Sequence, residues 1–453
     1  MKPLLIAWLI CASALAADKE TPPLGGAAKP FKLPPTQDFT LSNGMHVTLV
    51  PYGEVPRVAL RAYVSAGAVH EPAGQVWISQ LTGLLMKEGT ASRSASDVAR
   101  EVADMGGQLD VSPGTEFTSI GGVVLSESGP KFVALLADVL RNPRLPASEL
   151  PRLKADLARD LAVDTARPQT QANERFLQTI LPDQPYSRLF PSEEALKGYT
   201  LEQAESYYKS NFTARRTHLY VAGKLDPGLR AAIEAAFHDW REGSDASVPP
   251  AKPVSTRSLQ LIDRPGAEQS TVFLGLAVPD ATKPDFIQLA VLDSLLGGSF
   301  ASRITSNIRE QKGYTYSPSS QVLTRHHFAL WMETADVTTA VTGASLKEIF
   351  KEVDRIRTEA PSAAELKGIQ SYLAGLFILR NTISPDAIIS QLHFVDSQDL
   401  PRTYLSDYVP KVMAVTPSDI QRVAEQYLTP GKMTIVVVGD KAKVGEQIRA
   451  FEK

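Results

Sequence analysis

The stretch LGGSFASRITSNIREQKGYTYSPSS, which spans Leu296–Ser320, predicts a helix that is followed by a strand. Ser299 comes directly after a glycine pair and is placed to cap the helix at its amino end. The apolar residues of the stretch recur at helical spacing and are expected to form a buried stripe: Phe300, Ile304 and Ile308. Gly313 can adopt the left-handed conformation that favours a helix end, so the helix is expected to stop there.

Two polar side chains of this stretch are expected to meet in space. Arg309 lies on the last turn of the predicted helix, and Tyr316 comes seven residues later in a run that reads as the start of a strand. Because one tight turn joins the two elements, both side chains can be aimed at the same place.

The composition of the chain indicates a globular protein with more than one core. Its 453 residues, 43% of them apolar, are too many for one ordinary domain. Acidic and basic residues are interspersed and the formal net charge is −3. Neither nucleic acid nor a strongly charged membrane surface is therefore expected as a partner.

The amino-terminal segment has the features of a secretory signal peptide. Lys2 precedes the apolar run Leu4–Leu15, and cleavage is expected after Ala16. Residues 1–16 are thus the predicted signal peptide, which places the protein in the periplasm. Residues 17–36, rich in Pro, Gly and Lys, are expected to form an extended leader.

The cysteine content excludes several kinds of site. Cys11 is the only cysteine and lies within the predicted signal peptide, so the mature chain would have no thiol. This excludes disulfides, thiolate zinc sites and cysteine nucleophiles. Ile10 stands where a lipoprotein would need a small residue, and no later apolar run is long enough to span a membrane.

The pattern of the mature chain predicts an α+β fold. Asn43 and Gly44 lie between alternating apolar and polar residues, which is a strong signal for a two-residue hairpin. Further strands and helices with apolar stripes follow. We expect a mostly antiparallel sheet with helices packed on one side.

A self-comparison indicates that a whole domain is duplicated. Ala147–Leu150 (ASEL) reappears as Ala363–Leu366 (AAEL), and 363 − 147 = 216. The predicted strand Leu219–Gly223 reappears as Ile435–Gly439, and 439 − 223 = 216. One offset shared by two separate pairs favours two homologous domains over a short repeat.

The expected domain boundaries follow from this duplication. The first domain is expected to span residues 37–241 and the second residues 256–453. Residues 242–255 between them contain several prolines and no hydrophobic periodicity, so they are the predicted linker.

These features resemble the pitrilysin family, the inverted zincins that include insulinase and mitochondrial processing peptidase. The resemblance covers Phe39–Phe451. It rests on the duplication and on these motifs: Leu41-Ser-Asn-Gly-Met45, Gly89-Thr90, Ser302-Arg303-Ile304, Arg309 and Tyr316.

The residues of the family's zinc motif are missing at the corresponding place. Active members carry H-x-x-E-H on the helix that ends in the Gly-Thr pair, where two imidazoles bind zinc and the Glu deprotonates its water. Counting back from Thr90, those positions hold Gln80, Gly83 and Leu84. Glutamine is a weak ligand, glycine has no side chain and leucine is apolar, so no zinc is expected here.

No other metal site is expected on this chain. Alignment with the family's later helix places Asp160 at the position of the third zinc ligand, where a lone carboxylate is expected to be a solvated surface group. The seven histidines do not show metal-ligand spacing. His326 and His327 are adjacent, so on a strand they would point to opposite faces.

The resemblance implies a substrate-binding role for Arg309 and Tyr316. In pitrilysin relatives, an Arg and a Tyr seven residues apart in the second domain bind the substrate around its scissile carbonyl. Guanidinium and phenol can both donate hydrogen bonds to the oxyanion that forms when water attacks an amide. From spacing alone, Arg309 would instead be a helix-end charge and Tyr316 a core strand residue.

This combination is similar to the zinc-free chain of the two-chain bacterial members of the family. We therefore expect an exported subunit with no catalytic residue and no cofactor of its own, inactive alone. A zinc-bearing partner of the same family would supply the metal, and extended peptides would bind as an added strand. The alternatives are a non-catalytic scaffold subunit of a larger complex and a stand-alone protease with a rebuilt metal site, which Gly83 and Leu84 argue against.

Overall fold

The computed structural model describes residues 31–248 and 250–452. The predicted signal peptide, with Cys11, and residues 17–30 of the predicted leader lie outside the described residues. Among the helices that are described, none is both long enough and apolar enough to cross a membrane.

The amino-terminal half contains one sheet and a series of helices. In chain order its elements are β1 (Gln37–Thr40), β2 (His46–Pro51), β3 (Arg57–Val64), α1 (Ile78–Met86), α2 (Ala95–Asp104), β4 (Asp110–Pro113), β5 (Thr118–Leu125), α3 (Gly129–Arg141), α4 (Leu150–Ala166), α5 (Pro168–Ile180), α6 (Glu193–Gly198), α7 (Leu201–Asn211), β6 (Thr217–Gly223) and α8 (Leu229–Phe237).

The carboxyl-terminal half contains the second sheet. Its elements are β7 (Ser258–Asp263), β8 (Gln269–Val278), α9 (Phe286–Asp293), two π-helical segments (Ser294–Gly298 and Thr305–Gln311), β9 (Ser319–Arg325), β10 (Phe328–Thr338), α10 (Thr342–Thr358), α11 (Ala363–Asn381), α12 (Pro385–Ser397), α13 (Thr403–Ala414), α14 (Pro417–Tyr427), β11 (Thr434–Gly439) and α15 (Lys441–Ile448). The predicted linker contains no helix or strand among its described residues.

The two sheets share one strand order. The first is β1-β2-β6-β3-β5-β4 and the second is β7-β11-β8-β10-β9, so the second repeats the first without its outer strand β1. Each sheet has one parallel pair, β2 with β6 and β7 with β11, and the other pairs are antiparallel. The predicted α+β class, the duplication and the mostly antiparallel sheets are confirmed.

A hairpin joins β1 to β2 as predicted, but its turn is longer than the predicted two residues Asn43 and Gly44. The Gly44 amide donates to Leu41 O at 2.9 Å, so Ser42 and Asn43 are the central residues and Gly44 follows them with φ +86°. The buried Asn43 side chain donates hydrogen bonds from Nδ2 to the carbonyl oxygens of Phe237 at 2.7 Å and Trp240 at 3.0 Å. This hairpin is therefore tied to the end of α8.

Each sheet is covered on one face by helices of its own half and on the other face by a helix of the opposite half. Helix α5 of the first half packs on the second sheet through Ala172, Phe176 and Ile180. The residues of the second sheet that contact it include Phe273, Leu330 and Val436.

Helix α12 makes the reciprocal contact on the first sheet. Its buried side chains Ile388, Ile389 and Leu392 belong to one apolar cluster with three residues of that sheet: Val50, Ala59 and Tyr220. Helix α5 begins at Pro168 and α12 at Pro385, and 385 − 168 = 217, within one residue of the duplication offset. The exchange of α5 and α12 adds a second layer to each sheet, which the sequence pattern did not predict.

Candidate functional site

The stretch 296–320 contains a π-helical segment, Thr305–Gln311, instead of the α-helix predicted from Ser299. Ser299 is extended, with φ −125° and ψ 159°, and does not act as the cap. Ser302 takes that place, because its Oγ accepts a hydrogen bond from the Thr305 amide at 3.3 Å. The π-helical segment follows, and Gly313 ends it with φ +63°, as predicted.

Phe300 is not part of the buried stripe. Ile304 and Ile308 are fully buried, as predicted, but the Phe300 side chain is 68% exposed. Because the cap is Ser302, Phe300 precedes the helical segment. The helical spacing that buries Ile304 and Ile308 therefore does not apply to it. Its ring packs instead against the Arg309 guanidinium, whose Cζ lies 4.5 Å from the ring centroid.

Arg309 and Tyr316 meet at the surface. Arg309 Cζ lies 4.7 Å from the centroid of the Tyr316 ring, so its guanidinium contacts two aromatic rings, Phe300 and Tyr316. The predicted strand at Tyr316 is wrong, since β9 begins at Ser319, and Tyr316 is 78% exposed. The interpretation of Tyr316 as a core strand residue is thereby excluded.

The helical segment that carries Arg309 is held from two sides. Arg303 donates a bidentate pair of hydrogen bonds to Glu365 at the start of α11, at 2.7 and 2.9 Å. Asn307 Nδ2 donates to Glu352 at 2.7 Å and to Glu348 at 3.0 Å, both on α10. The backbone beneath Arg309 is therefore anchored to both neighbouring helices.

Two buried carboxyl groups lie beside the glycine pair 297–298. Asp293 Oδ1 accepts hydrogen bonds from Ser320 Oγ at 2.6 Å and Trp331 Nε1 at 3.0 Å. Glu333, on β10, is 0% exposed, and its oxygens have no well-formed hydrogen bond within the described residues. Burial raises the pKa of Asp293 to about 6. Burial, with the nearby Asp293, also raises the pKa of Glu333 well above its usual range.

The Glu333→Gln variant is expected to be more stable than the wild-type protein above pH 5. Because the folded-state pKa of Glu333 is raised, wild-type stability should fall as pH rises from the ordinary Glu pKa towards the folded value, by about 1.4 kcal/mol per pH unit at most for this one group. The variant removes that loss. Urea unfolding at several pH values measures it, and an unchanged pH profile would contradict a raised Glu333 pKa.

The position that corresponds to the family's zinc motif does not fit a zinc ion. Gln80, Gly83 and Leu84 lie on α1, where Gly83 is buried and faces β4. A β-carbon added at Gly83 would overlap the Pro113 ring, so this face of α1 has no room for a glutamate side chain. The predicted third position, Asp160, is an exposed residue of α4.

The structure brings together two histidines that would point to opposite faces of a regular strand. His326 and His327 lie in the tight turn between β9 and β10, where His327 has φ +61°, so strand alternation does not apply. Nε2 of each ring lies 3.1 Å from Oδ2 of Asp399. Within residues 31–248 and 250–452, this is the one group of three side chains whose potential metal-ligand atoms all lie within 4.8 Å of one another.

Comparisons with known proteins match the two halves in succession. Residues 49–189 match the model of the insulinase family, peptidase family M16, and residues 198–373 match the model of the peptidase M16 inactive domain. An uncharacterized zinc protease of Rickettsia felis is 26% identical over 326 residues, which cover 70% of this chain and 78% of the relative.

Two solved structures share the fold. The peptidase M16 inactive domain from Pseudomonas fluorescens superposes with a TM-score of 0.81 at 21% identity, and covers 89% of this chain and 98% of its own. A protease from Helicobacter pylori superposes with a TM-score of 0.83 at 19% identity, and covers 90% of this chain and 100% of its own.

Proposed function

Because the chain belongs to the peptidase M16 family, we propose that it is the non-catalytic subunit of a two-chain metallopeptidase. One observation carries the proposal. The zinc position on α1 is closed by Gly83 against Pro113, while Arg309 and Tyr316 are held together at the surface of the other half. This chain would therefore contribute substrate contacts, and its partner would contribute the zinc.

Arg309 and Tyr316 have the chemistry to bind a peptide carbonyl during hydrolysis. Both side chains donate hydrogen bonds, and such donors stabilise the negative charge that develops on the carbonyl oxygen. The contacts of Arg309 with the rings of Phe300 and Tyr316 restrict the plane of the guanidinium. Its ion pair with Glu310, at 3.1 Å from Nε, is half exposed and therefore weak.

The position of Tyr316 near the edge of the second sheet supports an extended peptide as substrate. Strand β9, the outer strand of the second sheet, begins three residues after Tyr316. A peptide that adds to β9 would gain main-chain hydrogen bonds and pass close to Tyr316. We propose that β9 is the docking edge and that the zinc-bearing relative completes the site in the periplasm.

The scaffold function has one observation in its favour. Helix α11 and the turn after it expose three large apolar side chains: Tyr372, Leu379 and Ile383. Exposed apolar groups in a row mark contact surfaces for other proteins. Such a surface would serve assembly whether or not Arg309 and Tyr316 take part in hydrolysis.

Purification from the native host tests the proposal. We expect the chain to co-purify with a relative that carries H-x-x-E-H, and we expect hydrolysis of an unfolded peptide only when both chains are present. Chelation of the partner's metal should abolish that hydrolysis while the two chains stay together. Hydrolysis by this chain alone would refute the proposed division of labour.

A further inference from the structure

We propose that His326, His327 and Asp399 form a binding site for one divalent transition-metal ion of the zinc class. This site is separate from the degenerate position on α1, and it does not depend on the proposed function. It departs from the expectation of no metal on this chain, because that expectation rested on sequence spacing. The three residues are brought together by a turn and by a loop 72 positions further on (399 − 327 = 72).

Two of the three distances between the ligand atoms are close to those of a tetrahedral site. Zinc lies about 2.0–2.2 Å from imidazole nitrogen and carboxylate oxygen, so two ligand atoms of one tetrahedron lie about 3.3–3.6 Å apart. Nε2 of His326 and Nε2 of His327 each lie 3.1 Å from the same oxygen, Asp399 Oδ2. Lengthening these two distances by a few tenths of an ångström would give the spacing of zinc ligands, and all three ligand atoms lie within 4.8 Å of one another.

The donor set selects the class of metal. Two imidazoles and one carboxylate suit Zn²⁺, Co²⁺, Ni²⁺ and Cu²⁺, whereas Mg²⁺ and Ca²⁺ prefer oxygen ligands alone. Both histidines and Asp399 are partly or fully exposed, so an ion can enter from solvent and water can supply the fourth ligand.

The site joins two elements that meet between the halves. The His326 amide donates to Glu116 of the first half at 2.9 Å, and Glu116 also accepts from Tyr186 Oη at 2.7 Å. Asp399 comes two residues after the end of α12, the helix that covers the first sheet. A bound ion would therefore fasten the end of the exchanged helix α12 to the turn between β9 and β10.

The site also lies at the edge of a cavity between the halves. His326 and Asp399 line this space of about 280 Å³ together with four other histidines: His46, His70, His218 and His393. An ion deeper in the cavity is the competing location. A variant of His327 and a variant of the cavity histidine His46 distinguish the proposed site from a site inside the cavity.

Titration of the full chain with ZnCl₂ after removal of metal by chelation tests the proposal. We expect one ion per chain and a rise in melting temperature. His327→Ala and Asp399→Asn are each expected to weaken binding by at least about tenfold and to remove the rise. Without metal, these variants should still unfold in one cooperative transition, which shows that they fold.

Two variants serve as controls, and both should bind zinc like the wild type. His238→Ala removes an exposed histidine at the end of α8, far from the group in sequence and outside it in space. His46→Ala removes a histidine that lines the cavity. Absence of binding by the wild type, unchanged binding by His327→Ala, or loss of binding in His46→Ala would each overturn the proposal.

Discussion

Replacing Tyr316 with Phe is expected to slow peptide hydrolysis by the proposed two-chain enzyme about 10²- to 10³-fold, the usual loss when one oxyanion donor is removed. The substitution deletes one hydroxyl and keeps the ring that contacts Arg309. Since Tyr316 is 78% exposed, neither stability nor assembly should change. The loss should appear in kcat, because the hydrogen bond strengthens as the oxyanion forms.

Arg309→Lys is the companion to this variant. It keeps the positive charge but loses the planar guanidinium that lies against Phe300 and Tyr316. The rate of peptide hydrolysis is therefore expected to fall in this variant too. Tyr372→Phe and Arg100→Lys, at exposed positions outside the site, are the matched controls. If complexes with Tyr316→Phe and with Arg309→Lys both form normally and hydrolyse the peptide at the wild-type rate, the substrate-binding role is refuted. The scaffold function would then replace it.

Replacing Phe176 with Ala is expected to lower the free energy of unfolding by about 3–5 kcal/mol, the range for truncation of a buried phenylalanine. Phe176 is fully buried between α5 and the second sheet, with its ring centroid 6.4 Å from that of Phe273. Because α5 belongs to the first half and packs on the second, the variant should lower the unfolding midpoint of both halves together.

Phe300→Ala is the matched control for this variant, since it removes the same side chain from a position that is 68% exposed. Its effect on stability should stay within about 0.5 kcal/mol. Urea unfolding followed by tryptophan fluorescence and by circular dichroism measures both variants. Equal effects of Phe176→Ala and Phe300→Ala, or two separate transitions for the halves, would contradict the exchange of helices.

The features that could be predicted from the sequence are those that depend on local spacing or on the duplication. Gly44 indicates a hairpin and Gly313 a helix end because glycine readily adopts the left-handed conformation found at both positions. The shared offset predicts two similar halves, and the common strand order confirms them. Proximity of Arg309 and Tyr316 follows from one tight turn.

The features that could not be predicted depend on contacts between distant segments. Helices α5 and α12 have ordinary amphipathic patterns, which indicate a buried face but not the sheet that covers it. Phe300 has the spacing of a buried residue, and only the later cap at Ser302 places it outside the helix. His326 and His327 become a pair because of the turn, and Asp399 reaches them from another part of the chain.

The exchange of α5 and α12 sets an order in which the protein can finish folding. The last strand of the first sheet ends at Gly223, but α12 ends at Ser397, and 397 − 223 = 174 residues. In the proposed periplasmic location, the chain would emerge from the membrane with its amino end first and fold afterwards. Until α12 has emerged, the apolar face formed by Val50, Ala59 and Tyr220 lacks its covering helix. The first half should therefore depend on chaperones after export, and its folding should finish only when nearly the whole chain has crossed.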